Sequence, residues 1–379
     1  MEVNRYFQIN WVDGMKINKD HFIALENGIN DRINNIVADN LNSFSYGLLP
    51  DHLGIGKTFK MVLNVDNQQY LNVKILNCRA ITRGGVVIQI QENSLEENGF
   101  SVPFPELTHK MDSSAESLFY VLLSVLPFSR VPVGNPNPNE EPPRYPFTVP
   151  EIKVNLVPED QFSHKESADY FICIGKVNIV DGHAEIATDY IPPCSTIQSH
   201  FGLVELHLKY DVFFSHLENN VLKIIKKIKE KEQTYDLAKT ITSLSELLLT
   251  FLSNHILNFR LIVAQQPPVC MFEYMGRCAR IIKNSIDANS SEGKEELLNY
   301  LSEWCQLNRG DFEKVLIGAV NFKYEHSHID KTVVVINQFV DMIGSLFDKL
   351  STMEYIGKKK DTGIFVKEQQ QGKSSFLAD

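Results

Sequence analysis

The sequence predicts an α+β multidomain protein in which an N-terminal antiparallel β-sandwich precedes an α-helical bundle. The first reason is length, because 379 residues are too many for one compact core. The second is a series of short runs rich in Val, Ile, Phe and Tyr between residues 58 and 190. The third is the long helical periodicity that begins near residue 197.

Composition narrows the classes of partner and compartment. The formal charge of −10 argues against nucleic acid, whose binding needs a basic face. No uncharged apolar stretch approaches the roughly 18–20 residues that span a bilayer, so direct membrane insertion is not expected. The six cysteines form no C-x-x-C pair. This favours buried thiols in a reducing compartment over disulfides or a zinc site.

An amphipathic helix is predicted over residues 18–38, with Asn18 as its N-cap. An Asp13-Gly14 turn leads into it. Apolar residues then recur at three- and four-residue steps and form one stripe. The members of this α1 stripe are Phe22, Leu25, Ile29, Ile33 and Ile36.

The β-rich region predicts strands separated by turn residues. No helix of ten or more residues lies between them, which favours an antiparallel sandwich or barrel. The predicted strands cover 59–65, 70–81, 85–90, 119–128, 152–157 and 169–180. Within this region seven of the nineteen residues 132–150 are proline, so this segment is predicted to be an exposed excursion between strands.

The second half predicts six helices and then a polar tail. The helices cover 198–232, 235–263, 267–288, 292–306, 309–322 and 329–352. The last helix carries the cleanest apolar stripe, with steps of 3, 4, 3, 4 and 3. This α7 stripe consists of Val333, Ile336, Val340, Ile343, Phe347 and Leu350. Its spacing suits packing in a bundle or an oligomer, and the sequence leaves open whether the partner helix belongs to the same chain.

The sequence contains no convincing catalytic, cofactor or metal site. The segment HLGIGKTF at 52–59 ends like a phosphate-binding loop, but Asp51 occupies the position of the first glycine. His326 and His328 are expected to be exposed in a loop, with no further ligands for a metal. No G-x-S-x-G or Cys-His signature supplies a nucleophile. The protein is therefore predicted not to be an enzyme.

Three motifs give the sequence a family resemblance. They are W-V-D-G-M-x-I-x-x-x-H-F at 11–22, the pair ITRGGVVIQI and FSVPFPE ending at residue 106, and D-Y-I-P-P-C-x-x-I at 189–197. Together they resemble the TssK family, the trimeric baseplate subunit of the type VI secretion system. That family shows W-x-E-G-M-x-L-x-x-x-H-F near its start and an I-P-P motif before its helical part.

The resemblance implies a fold, partners and a location. The β-sandwich would be similar to the shoulder of phage receptor-binding proteins and dock on the TssF–TssG wedge, and the helical bundle would form a homotrimer. The implied domains are 1–190, 191–352 and a polar tail at 353–379. That tail is too short for the usual C-terminal head, so the membrane-anchor partner stays uncertain. The expected location is cytoplasmic, at the cytoplasmic face of the inner membrane when assembled.

The opening motif and the I-P-P element supply the candidate site residues. Anchoring inside the chain is the leading interpretation of the opening cluster, and contact with a wedge subunit or a neighbouring protomer is the second. The residues of this cluster are Trp11, Val12, Gly14, Met15, His21 and Phe22. Ile191, Pro192 and Pro193 are predicted to set the angle between sandwich and bundle. The alternatives are a phage-tail-like injection protein and, from another class, a hydrolase with a diffuse site.

Overall fold

The computed structural model describes residues 6–51, 58–91, 104–110, 117–162, 169–180 and 182–357. The strands are β1 (Gly47–Leu48), β2 (Phe59–Val65), β3 (Tyr70–Ile81), β4 (Val87–Ile90), β5 (Glu106–Lys110), β6 (Ser117–Val133), β7 (Phe147–Pro158), β8 (Phe171–Val180) and β9 (His183–Ile186). The helices are α1 (Lys19–Asp39), α2 (Phe201–Glu230), α3 (Asp236–Leu261), α4 (Pro268–Asp287), α5 (Ser291–Cys305), α6 (Arg309–Val320) and α7 (Ile329–Thr352). The predicted order, an antiparallel β region followed by helices, is confirmed.

The chain divides into two compact units. The first contains Met1–Leu206 together with two later segments, Val263–Cys270 and Tyr324–Lys331. The second contains His207–Ile262, Met271–Lys323 and Thr332–Asp379. The first unit is therefore built from three separate pieces of sequence. The boundary predicted at residue 190 stays a prediction.

The first unit holds two antiparallel sheets that face each other. In one sheet β3 pairs with β1, β2, β4 and β5, and the other has the order β7-β6-β8-β9. Alternate residues of β3, such as Leu71, Val73 and Ile75, are fully buried, as expected for a strand with one face in a core. A β-carbon added to Gly175 of β8 would lie 3.0 Å from the methyl carbon of Met61 in β2. The sheets therefore pack against each other at this point.

The proline-rich segment forms the outer end of a long β6–β7 hairpin. Residues 134–146 connect the two strands, as the sequence predicts for an excursion. The prediction is wrong at both ends of the segment, because Pro132 pairs with Thr148 and Pro150 pairs with Arg130 in the ladder. This end of β6 has β7 as its neighbour, while its pairing with β8 stops at Ser124. Proline is tolerated there because a strand at a sheet edge has one side that needs no donor.

The second unit is a set of packed helices with α7 in its core. Five of the six α7 stripe residues are between 0 and 4% exposed, and Val333 is half-buried. Phe213 of α2 contacts Phe339 of α7, with ring centroids 6.5 Å apart. Lys227 of α2 donates to the carbonyl oxygens of Ser351 (2.6 Å), Leu350 (3.4 Å) and Met353 beyond the end of α7. These carbonyls lie at the negative end of the helix dipole.

The region predicted to be a tail begins with an ordered contact. Residues 353–357 pack on the second unit, where Ile356 is fully buried and its backbone N–H donates to Gln233 at 3.1 Å. The ammonium of Lys231 lies 4.0 Å from the ring centroid of Tyr355. The rest of the predicted tail, residues 358–379, lies outside the described residues.

Candidate docking surface

The opening motif forms a turn followed by a capped helix. The N–H of Met15 donates to the carbonyl of Val12 at 3.2 Å, and Gly14 has φ +79°, which confirms the predicted turn. Asn18 is the N-cap of α1, as predicted, and its side chain accepts from the N–H of His21. The ring of His21 in turn accepts from the N–H of Asn18 at 3.1 Å, which completes a capping box.

Helix α1 lies on the sheet through small and polar residues. Asn27 and Gly28 are its buried positions, and no large apolar side chain of α1 is buried with them. A β-carbon on Gly85, in the β3–β4 turn, would lie 2.2 Å from the carbonyl oxygen of Asn34. The backbone of α1 therefore approaches the turn as closely as a glycine allows. Gly85 also has φ +78°, which a larger residue adopts only with strain.

Arg130 of the β6–β7 hairpin fixes this side of α1. Its guanidinium donates to the carboxylate of Glu26 at 2.6 Å and to the amide oxygen of Asn27 at 3.0 Å. Next to this contact the rings of Tyr6 and Phe128 lie 4.2 Å apart. Polar and ring contacts at the flank thus hold a helix that buries little apolar surface of its own.

The α1 stripe points away from the sheets. Its five residues, Phe22, Leu25, Ile29, Ile33 and Ile36, are between 38 and 63% exposed. An amphipathic helix normally turns such a stripe toward a core. Here the stripe lies on the side opposite Asn27, Asp31 and Asn34, so the usual orientation is reversed. The five side chains form an unpartnered apolar face on the described part of the molecule.

The residues before α1 add further exposed apolar side chains. Phe7, Trp11, Val12 and Ile17 are all exposed, and the rings of Trp11 and His21 lie 6.1 Å apart. The nine side chains, at on the order of 100 Å² each, expose roughly 900 Å² in total, compared with the 300–600 Å² of the largest single patch on a typical monomer. This total is also close to the ~800 Å² that each partner buries in a stable interface.

These exposures bear on the two interpretations of the opening cluster. Trp11, Val12 and Phe22 are exposed, while Met15 is half-buried. Deep burial of Trp11 inside the chain, the basis of the anchoring interpretation, is not observed. His21 has a structural task as a capping residue, and Gly14 forms the turn. Contact of the cluster with a partner stays a prediction.

The I-P-P segment lies inside the first unit. Ile191, Pro192 and Pro193 are buried, and the carbonyl of Pro193 accepts from the N–H of Leu48 at 2.7 Å. Gly47 comes so close that a β-carbon there would lie 2.0 Å from the Pro193 oxygen. The segment is thus fixed against β1. Its predicted role in setting the angle between the units stays a prediction.

The expectation that His326 and His328 are exposed is wrong. Both are buried in the first unit, on the segment that returns to it. His326 donates to the carbonyl of Tyr46 at 2.9 Å, and its other ring nitrogen accepts from the hydroxyl of Tyr324 at 2.7 Å. Burial lowers the pKa of His326 to about 4, so the neutral ring fills a structural position.

Sequence reasoning found the α1 stripe but not its direction. The signal that was missed is on the side of α1 opposite the stripe. The residues there are small or polar and cannot form an apolar core: Asn27, Gly28, Asp31 and Asn34. A second stripe, on α3, escaped notice because it mixes leucine with Ser, Thr and Asn. The residues that the structure describes contain no group of three or more His, Cys, Asp or Glu side chains placed to hold a metal ion.

Comparison with known proteins finds the same fold in a solved secretion complex. No protein-family model and no curated protein matches the sequence. A chain of the baseplate complex from the type VI secretion system aligns with a TM-score of 0.52 at 13% identity, over 90% of this chain and 99% of that one. The protein thus shares its fold with a chain of the type VI secretion baseplate complex.

Two solved structures that contain TssK also align with this chain. A crystal structure of TssK aligns at 12% identity with a TM-score of 0.48, over 90% of this chain and 69% of that chain. A chain of the TssK–TssF–TssG baseplate subcomplex aligns at 12% identity with a TM-score of 0.44, over 89% of this chain and 99% of that one. Both solved structures contain TssK, the family that the sequence motifs resemble.

Proposed function

We propose that this protein is a non-catalytic structural subunit of a type VI secretion baseplate. The observation that supports this most directly is the α1 stripe, a large apolar face left open on a fold shared with a baseplate component. A surface of that size on a folded chain is typical of a subunit whose partner covers it.

The proposed assembly is a cytoplasmic homotrimer that docks on the TssF–TssG wedge. It links the baseplate to a membrane anchor at the cytoplasmic face of the inner membrane. Three copies present three equal docking surfaces, and linked contacts raise the overall affinity without strong individual interfaces. The resemblance of the opening motif suggests TssF and TssG as partners, and the fold agrees with such a role.

The proposed docking surface combines the α1 stripe with the cluster before it. Trp11, Val12 and Phe22 contact the partner, since large exposed aromatics are the side chains that dominate interface energies. Gly14 and His21 act indirectly, because the turn and the capping box set the position of Trp11 relative to α1. The polar flank at Glu26 stays with Arg130.

The test is recovery of partners by the tagged full-length protein from cells that express the secretion system, with identification by mass spectrometry. The wild type is expected to recover TssF- and TssG-like proteins. Ile33→Asp, in the middle of the stripe, is expected to lower recovery at least tenfold, because it places a carboxylate in an apolar contact. Asn30→Asp introduces the same side chain at an exposed position beside the stripe and is expected to keep recovery.

Two results would overturn the proposal. One is a folded wild type that recovers neither wedge protein from expressing cells, which would contradict the baseplate role. The other is equal recovery by the wild type and Ile33→Asp, which would keep the baseplate role and remove α1 from the interface.

A further inference from the structure

The last described residues of the chain lie against the turn between α2 and α3, in the helical unit. The N–H of Ile356 donates to the side-chain oxygen of Gln233 at 3.1 Å. A β-carbon added to Gly357 would lie 3.2 Å from the hydroxyl oxygen of Tyr235. The position from which the chain continues at residue 358 is therefore fixed beside Gln233 and Tyr235.

Gln233 has a buried hydrogen-bond donor that lacks an acceptor. Its side-chain oxygen accepts from Ile356 and also from the hydroxyl of Tyr235 at 2.6 Å. Its amide nitrogen Nε2 is buried and has no hydrogen-bond partner within the described ranges. An unpaired buried donor costs free energy, so such a group is expected to find an acceptor. The segment that follows Gly357 begins beside this donor and carries backbone carbonyls.

Two grooves run along the N-terminal half of α3, and both have Lys239 and Ser243 in their walls. The first, of about 600 Å³, lies between α3 and the end of α2 and includes Gln233. The second, of about 580 Å³, lies between α3 and α4 and includes Leu247 and Ile281. Because the grooves share residues, they form one path over α3, which begins at Gln233, where the described chain ends.

The far end of this path is apolar. Leu247 is 50% exposed on the outward side of α3, and Ile281 of α4 is half-buried in the same groove. Small side chains line the groove with them and leave room for a larger one: Thr240, Ser243, Ser285 and Ala288. A large apolar side chain placed here would remove Leu247 and Ile281 from water.

The unpaired charge at the near end of the path is negative. Glu232 is exposed, and its carboxylate has no ion pair or hydrogen bond with another residue that the structure describes. The other charges along this groove are matched. Lys229 lies 3.6 Å from Glu246, and the same holds for Lys239, which lies 3.2 Å from Asp236. A segment that enters the path at Gln233 is therefore favoured if it begins with cations.

The sequence that continues from Gly357 has charged and apolar residues in the matching order. Three lysines come first, at 358–360, and an apolar group, Ile-Phe-Val, follows at 364–366. The seven residues from 357 to 364 span at most about 23 Å when the chain is extended. Along α3, the twelve residues from Tyr235 to Leu247 cover about 18 Å. The apolar group can therefore reach the apolar end of the path.

We propose that residues 358–366 of this chain are a strap that occupies the path over α3. The lysines of the strap lie beside Glu232, and one of its backbone carbonyls accepts from Gln233. Phe365, its largest side chain, fills the apolar end of the path beside Leu247. The strap covers part of the outward side of α3, so a partner for that side must first displace it. This inference does not depend on the proposed function, since it concerns a contact within one chain.

The first test is hydrogen–deuterium exchange of the full-length protein, measured over residues 239–247 of α3. Phe365→Asp is expected to raise the exchange rate there at least threefold, because a carboxylate is unfavourable in an apolar groove and the strap is released. Phe376→Asp, the same change outside the strap, is expected to leave the rate unchanged. Equal rates in the wild type and Phe365→Asp, or the same increase in both variants, would overturn the proposal.

A pair of introduced cysteines tests where the strap lies and which chain supplies it. Phe365→Cys combined with Asn284→Cys, which lines the groove, is expected to form a disulfide within one chain on mild oxidation, identified by peptide mass spectrometry. Phe365→Cys combined with Asn219→Cys is the matched control. Asn219 is exposed on α2, 2.5 helical turns from Ile228 and thus on the side away from the groove, and should not crosslink. Equal crosslinking of both pairs, no crosslink at Asn284→Cys, or a crosslink between two chains would overturn the proposal.

Discussion

Helices α1 and α7 carry nearly the same apolar spacing and meet opposite environments. The α7 stripe is buried within the second unit, whereas the α1 stripe is exposed along its length. Opposite its stripe, α7 presents residues such as Lys331, Asp341 and Ser345 to solvent. Opposite its own stripe, α1 presents small and polar residues to a sheet. The spacing of apolar residues thus shows that a helix has an apolar stripe. Whether the stripe is buried is indicated by the residues on the opposite side of the helix.

The two stripes also differ in what the free energy of apolar burial can stabilise. Burial of the α7 stripe stabilises the fold of a single chain. The exposed α1 stripe does not contribute in this way to the stability of the single chain. It would contribute about 25 cal/mol per Å² of apolar surface to the free energy of binding if a partner covered it. Changes in the two stripes should therefore register in different measurements.

The largest expected effect is on the free energy of unfolding when the α7 stripe is truncated. Ile343→Ala removes a fully buried side chain and should lower that free energy by about 2–5 kcal/mol, through lost burial and the cavity left behind. Urea unfolding followed by circular dichroism measures it. Val334→Ala, on the exposed side of the same helix, should change it by less than about 0.5 kcal/mol. Equal effects of the two would remove the distinction between the faces of α7.

A smaller effect is expected from the lysine at the end of α7. Lys227→Met keeps most of the apolar stem but removes the ammonium that the carbonyls of Leu350 and Ser351 accept from. A loss of about 1.5–3 kcal/mol is expected, the usual range for hydrogen bonds to a charged group. Lys226→Met, at a side chain that is 75% exposed, is the matched control in the same urea experiment. No difference between the two would show that the α7 terminus does not depend on Lys227.

The smallest expected effect is on the free energy of unfolding when the exposed α1 stripe is changed. Ile33→Ser in the α1 stripe should change the free energy of unfolding by less than about 0.5 kcal/mol, because an exposed side chain loses little on truncation. On the other side of α1, Asn27→Ala should lower it by about 1 kcal/mol, since Arg130 loses a buried acceptor. The reverse order, with Ile33→Ser the more damaging change, would mean that the stripe is covered within the monomer.

Much of the fold could be predicted because many elements have unambiguous local patterns. The bounds of β2 and β3 agree with the prediction, since apolar residues recur there at every second position between turns. The short strands β1, β5 and β9 were not predicted, because two to five residues carry too little periodicity.

The environment of particular residues could not be predicted, since it depends on contacts distant in sequence. His326 lies 280 residues from Tyr46, whose carbonyl accepts its ring N–H, and no local pattern connects the two. Lys227 likewise donates to carbonyls more than 120 residues away. Its sequence surroundings are a basic run typical of a solvated helix face. At the candidate site, the turn and the cap of α1 were predicted from local chemistry. The outward direction of the stripe was not, because it depends on the sheet underneath.

The interleaving of the two units limits how this protein can be cut or recombined. The first unit closes only when Val263–Cys270 and Tyr324–Lys331 have been made, after most of the helical unit. A fragment that stops at residue 206 would lack His326, whose ring contacts the ring of Tyr46 and donates to its carbonyl. A chimaera made from two related genes with one crossover near residue 206 would likewise combine the β-sheets of one protein with the segments 263–270 and 324–331 of the other. The two units should therefore be inherited and engineered together.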